Sequence, residues 1–129
     1  MNPVVHFEMP STDSERVKKF YSTVFGWQMQ QMGPEMGNYI LANTTPIDEK
    51  TQRPKEPGAI NGGFYPKSED SKSTHLVISV NNIEEYMKMV TNAGGKLLGK
   101  PMDIPGVGKF IMFKDTEGNR VGILQPTSN

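Results

Sequence analysis

Cysteine is absent from this 129-residue chain. That one absence excludes disulfides, zinc thiolate sites and thiol nucleophiles together, and it agrees with a reducing compartment. An excess of charge of either sign is also lacking. Fourteen Lys plus Arg stand against fourteen Asp plus Glu, and the basic residues are scattered, so the electrostatic footprint of a nucleic-acid binder is missing. No apolar stretch approaches the roughly 18 residues of a membrane span. Met1 to Met9 have no basic segment followed by a long apolar run, so no signal peptide is expected. These absences point to a cytoplasmic protein with neither a nucleic-acid nor a membrane partner. Histidine is scarce as well, with only two in the chain, and their placement is informative.

Residues 6–27 and 75–96 read as two copies of one unit. At an offset of 69 residues His6 falls on His75, Glu15 on Glu84, Lys19 on Lys88 and Gly26 on Gly95. The helix-spaced apolar positions Val17, Phe20, Tyr21 and Val24 fall on Tyr86, Met89, Val90 and Ala93. Each stripe follows a strand-like stretch that carries its histidine in register. Internal repetition of this kind marks a duplicated module, here at residues 1–66 and 74–127 of a single domain.

Each half reads as strand, helix and three strands. In residues 4–9, alternation puts His6 and Glu8 on one face and Val5, Phe7 and Met9 on the other. Thr12 or Asp13 caps the first helix, Glu15 completes a capping box with Thr12, and Gly26 stops it. Strands follow at 28–32 and 38–42, across a turn at 33–37. An exposed, mobile loop with three prolines occupies 44–57, and apolar residues return at 58–66. The second half repeats the order. His75, Val77 and Ser79 share a face, Asn81 or Asn82 caps a helix that ends at Gly94-Gly95, and strands are expected at 96–103, 110–114 and 120–125. The aromatic and methionine positions Phe20, Tyr21, Trp27, Met89 and Phe113 read as core. The expected class is therefore α+β, two βαβββ modules forming a curved mixed sheet with a cleft.

Several segments in this order resemble a known superfamily. His6-Phe7-Glu8, Phe20-Tyr21, Phe25-Gly26-Trp27, His75, Gly94-Gly95-Lys96 and the 115–119 run Asp-Thr-Glu-Gly-Asn are similar to the vicinal oxygen chelate proteins: glyoxalases, bleomycin-resistance proteins and extradiol dioxygenases. The segments at 59–63 and 104–108 are similar to those of its glyoxalase-related branch of unspecified activity. The resemblance spans nearly the whole chain and is specific for fold, whereas reaction is a property of the site.

The resemblance implies a cleft that holds a divalent metal on residues from four strands, with His6 and His75 as its histidines. It also implies that the last strand of each half supplies a carboxylate. Here those places fall on Gly62, or Asn61 one residue away, and on Gly122. A catalytic divalent ion needs at least three protein ligands and an open position. Glu8 is the candidate that completes a two-histidine, one-carboxylate set, and it is also the candidate catalytic carboxylate. Both states, one divalent ion (zinc, nickel, manganese or iron) and none, are compatible with this set.

Three mechanisms stay open at this point. One is a lyase, isomerase or dioxygenase using a metal on His6, His75 and Glu8. A second is a metal-free small-molecule binding protein of the bleomycin-resistance type. The third is acid/base chemistry by His6 with Glu8 alone. In each, the cleft takes a small, partly apolar molecule against Tyr39, Phe64, Met102, Phe110, Met112 and Leu124. A homodimer is implied by the resemblance.

Overall fold

The computed structural model describes residues 1–127. They divide into two compact units, one of His6–Thr74 and one running from His75 onward together with Met1–Val5. Both are α+β with the order βαβββ.

The first unit is built from β1 (Val4–Ser11), α1 (Ser14–Phe25), β2 (Gln28–Gln31), β3 (Ile40–Asn43) and β4 (Asn61–Pro66). Its strands run in the order β2-β3-β4-β1, with two antiparallel pairings and a final parallel one. Alternation along β1 turns Phe7 and Met9 to one face and His6 and Glu8 to the other. The side chain of Asp13 caps α1 by accepting from the Arg16 amide at 3.0 Å. Glu15 does not form the expected capping box, because Asp13 is the N-cap residue; its carboxylate instead accepts from Lys18 Nζ at 2.8 Å. Gly26 ends α1 at φ 72°, a left-handed conformation that glycine adopts without steric cost. The chain can then turn back so that Trp27 stacks on Tyr21 at 4.7 Å between ring centroids.

Ile40, Ala42 and Phe64 form the buried centre of this unit, with Met9, Val17, Tyr21, Trp27 and Met29 packed around them. Every strand residue in that set has the parity of Phe7, so the core lies on the α1 side of the sheet. Burying one such large side chain contributes about 1.5–3 kcal/mol. The 44–57 stretch is more structured than a polar, proline-containing loop suggests. Ile47 and Pro54 form a β-bridge, and Asp48 accepts from the amides of Lys50 and Thr51.

The second unit repeats the plan with β5 (His75–Ser79), α2 (Ile83–Asn92), β6 (Lys96–Ile104), β7 (Gly108–Lys114) and β8 (Arg120–Pro126), in the order β6-β7-β8-β5. Asn82 caps α2 by accepting from the Glu85 amide. Val80, Ile83, Ile111 and Ile123 are buried together, with Ile78, Tyr86, Met87, Leu97 and Phe113 against them. This core again lies on the helix side. Tyr21, Trp27 and Phe113 take the core places expected of them, but Phe20 and Met89 are about half exposed, on helix flanks that no strand covers.

Candidate functional site

The parallel pairings locate the candidate positions. His6 lies beside Asn61, Phe7 beside Gly62 and Glu8 beside Gly63. Side chains of paired residues share a face, so Gly62 belongs to the Phe7 side and Gly63 to the His6 side. In the second unit Val77 pairs with Gly122. Both glycines thus stand beside the residue two places after a histidine, and the counterpart of Gly122 is Gly63. The sequence resemblance puts that place at Gly62 or Asn61; Gly62 is one residue off and on the other face, and Asn61 stands beside His6 itself.

A ring covers each of these glycines. A Cβ on Gly63 would run into the phenol of Tyr39, and one on Gly122 would come within 2.6 Å of the Phe110 ring and 3.3 Å of Met112 sulfur. Tyr39 immediately precedes β3, and Phe110 holds the corresponding place on β7. Leu41 lies opposite Gly63 and Met112 opposite Gly122, each two residues further along. The site that an acid would need is filled by an aromatic side chain in both units.

Tyr39 does more than fill space. Its hydroxyl lies 2.8 Å from His6 Nε2 and hydrogen-bonds to the carboxylate of Glu8. Burial raises its pKa far above the ordinary tyrosine range, and the Glu8 charge, the bond to Glu8 and nearby Tyr65 push it the same way. The phenol is therefore neutral and has one proton to donate. With that proton on the Glu8 carboxylate, His6 Nε2–H donates to the phenol oxygen. The result is a directed chain, His6 to Tyr39 to Glu8, within the first unit. Glu8 is half-buried at its end.

This chain bears on the metal expectation. His6 Nε2 is engaged with the Tyr39 hydroxyl at 2.8 Å. Asn61 Oδ1 is taken up by the Thr44 amide at 2.7 Å and by the Thr44 hydroxyl at 3.2 Å. Gly63 and Gly122 bring no donor. Among the described residues no group of three or more His, Cys, Asp or Glu side chains is placed to hold a metal. These donors do not fit a catalytic divalent ion of at least three protein ligands.

The remaining positions divide by parity. Met102 pairs with Phe110, Phe110 with Leu124 and Met112 with Gly122. Met102, Phe110, Met112 and Leu124 therefore share the face of β5 that carries His75 and Val77, opposite α2. His75 is buried, at 6% exposure. Phe64 is a correction. It pairs with Met9 on the α1 side and is 2% exposed in the core, so it lines no ligand surface. A one-residue error of register suffices to exchange the faces.

Sequence reasoning paired His6 with Glu8 and reached Tyr39 separately, but missed the connection through Tyr39. The alternation from Tyr39 into β3 was the available signal. It needed the β3–β4–β1 pairing, which brings residues 33 positions apart into contact.

Comparison with known proteins agrees with this architecture. Residues 4–123 match the family described as Glyoxalase/Bleomycin resistance protein/Dioxygenase superfamily. A glyoxylase-like domain-containing protein of Didymella fabae is 36% identical over 117 residues, which is 87% of this chain and 84% of that protein. The anthracycline biosynthesis protein DauV of Streptomyces sp. (strain C5) is 26% identical over 123 residues, and the match spans 87% of this chain but only 42% of the Streptomyces protein. Methylmalonyl-CoA epimerase from Mycobacterium tuberculosis superposes with a TM-score of 0.68 at 12% identity, covering 97% of this chain and 88% of that one, a likeness of fold.

Proposed function

We propose a function for a chain that belongs to the Glyoxalase/Bleomycin resistance protein/Dioxygenase superfamily: it binds a small carbonyl-containing molecule and moves a proton on it with Glu8. The observation that carries this reading is the hydroxyl of Tyr39 bridging His6 and Glu8. Glu8 is the general base, since it is the half-buried end of the chain and accepts a proton as a carboxylate. Tyr39 positions it by hydrogen-bonding to it, and His6 fixes the direction of the Tyr39 bond. A carbon acid next to a carbonyl loses its proton to Glu8, the Glu8 carboxyl exchanges that proton with solvent, and the carbon takes one back from the same carboxyl, so no co-reactant beyond water is needed. A fold neighbour named as an epimerase makes proton transfer at carbon the reaction class to test first.

The test is deuterium exchange into a panel of 1,3-dicarbonyl and α-hydroxycarbonyl compounds in D₂O, followed by NMR. Exchange that is lost in Glu8→Gln and survives chelator supports the reading. Exchange that needs an added divalent ion overturns it. Thermal shifts without any exchange favour instead a binding protein of the bleomycin-resistance type. The homodimer and the cytoplasmic location belong to the same proposal. A light-scattering mass of twice the 14.4 kDa chain supports the first, and a monomer overturns it.

A further inference from the structure

Three cations lie side by side across the sheet of the second unit. Lys96 on β6 pairs with Lys114 on β7, and Lys114 pairs with Arg120 on β8. Directly paired residues share a face and hold their Cβ atoms about 5 Å apart. Continuing the β5–β8 register by two residues from Val77 and Gly122 sets Arg120 beside His75. The row therefore ends next to the buried histidine, on the face that carries Phe110, Met112 and Leu124.

Like charges directly opposite one another destabilise a sheet. Among the described residues no carboxylate forms an ion pair with Lys96, Lys114 or Arg120. Arg120 is half-buried, and its Nε is fully buried with no hydrogen-bond partner among the described residues. The nearest acids in sequence are otherwise engaged. Asp115 accepts from the amides of Glu117 and Asn119 and from the Asn119 side chain, and Glu117 is bonded to Thr116. A partly buried guanidinium without a counter-charge is costly. A fork of donors held rigid beside an apolar surface is suited to a planar or tetrahedral oxyanion.

We infer that this row is an anion subsite, taking the carboxylate or phosphate group of a small molecule whose apolar part rests on Phe110, Met112 and Leu124. It uses other residues than the His6–Tyr39–Glu8 chain and stands whether or not that chain transfers protons. Arg120 is the principal contact; Lys114 and Lys96, exposed at the sheet edge, add attraction that salt screens.

The experiment is titration with benzoate, phenyl phosphate and the uncharged benzamide, followed on the backbone amides of Met112 and Gly122 by NMR. At low salt, at least one anion shifts these amides and benzamide binds at least about tenfold more weakly, the weight of one charge-assisted hydrogen bond. Arg120→Gln weakens the anion about tenfold, Lys114→Gln about threefold, and Lys88→Gln on α2 leaves it unchanged. If Arg120→Gln does not fold, the double variant Lys96→Gln with Lys114→Gln replaces it, with a loss of about tenfold expected. Tighter binding of phenyl phosphate assigns a phosphate ligand, and tighter binding of benzoate a carboxylate. The inference is overturned if benzamide binds as well as the anions, if neither Arg120→Gln nor the double variant weakens them, or if Lys88→Gln weakens them equally.

Discussion

The two units share strand order, helix placement and a histidine in the same register, yet their histidine-bearing faces have diverged position by position. Where the first unit has Glu8, the second has Val77. Tyr39 gives way to Phe110, and Asn61 to Arg120. Only the histidine and the ring-covered glycine are common to both. The first unit has thereby gained a buried polar chain, whereas the second has an apolar surface bordered by cations. The same backbone plan thus carries different chemistry on the two faces.

The sharpest way to break this comparison is at the glycines. Gly63→Ala and Gly122→Ala each put a methyl group into a ring, and each is expected to cost about 1–3 kcal/mol in urea denaturation. Tyr39→Ala should restore much of the first loss and Phe110→Ala much of the second; additive losses in the double variants would show that the rings do not confine the glycines.

A comparable effect separates the rings themselves. Tyr39→Phe should destabilise by about 1–3 kcal/mol, because the Glu8 carboxylate loses a donor in a partly buried place. Phe110→Tyr brings a hydroxyl towards His75, the counterpart of His6, but next to Val77 in place of a carboxylate, and should stabilise little. Adding Val77→Glu to Phe110→Tyr transplants two members of the chain. Measured stability should then recover part of the loss.

The pH dependence of stability is expected to differ as well. Tyr39 keeps its proton in the folded protein well beyond the pH at which an unfolded tyrosine, with a pKa of about 10, loses it. The stability this contributes is fully present below pH about 10 and falls as pH rises beyond it, because the unfolded chain then binds fewer protons. Tyr39→Phe should remove that decline in denaturation series taken from pH 8 to 11. An unchanged decline would assign it to other groups.

The smallest effects belong to two exposed aspartates, one in each unit. Asp48 is held below the usual carboxylate range chiefly by the amides of Thr51 and Lys50, and Asp115 by the side chain and amide of Asn119. A lowered carboxylate contributes stability above its unfolded pKa and loses it as pH falls through the folded value. Asp48→Asn and Asp115→Asn should each flatten the acid side of the stability profile slightly. A larger effect from either would show that its turn anchors more than itself.

Much of this fold was legible in the sequence because local rules agree there. The apolar stripes of both helices, their caps at Asp13 and Asn82 and the stop at Gly26 all depend on neighbours within a few residues. The site was less legible because it depends on register between distant strands. Gly62 and Gly63 are adjacent in sequence but lie on opposite faces, and only the pairing of β1 with β4 decides which meets the histidine side. The same shift placed Phe64 on the wrong face. The chain through Tyr39 and the row ending at Arg120 both cross strands, so neither leaves a mark at a fixed spacing.

The ring over the glycine also constrains how such a protein can change. A carboxylate introduced at Gly63 meets Tyr39, and one at Gly122 meets Phe110, so in either unit the acid is tolerated only after the ring has been replaced. Replacing the ring first exposes a gap and, in the first unit, severs the tie between His6 and Glu8. Each single step is harmful and only the pair is neutral. A carboxylate at either glycine therefore calls for a paired substitution of glycine and ring, and neither change alone supplies it.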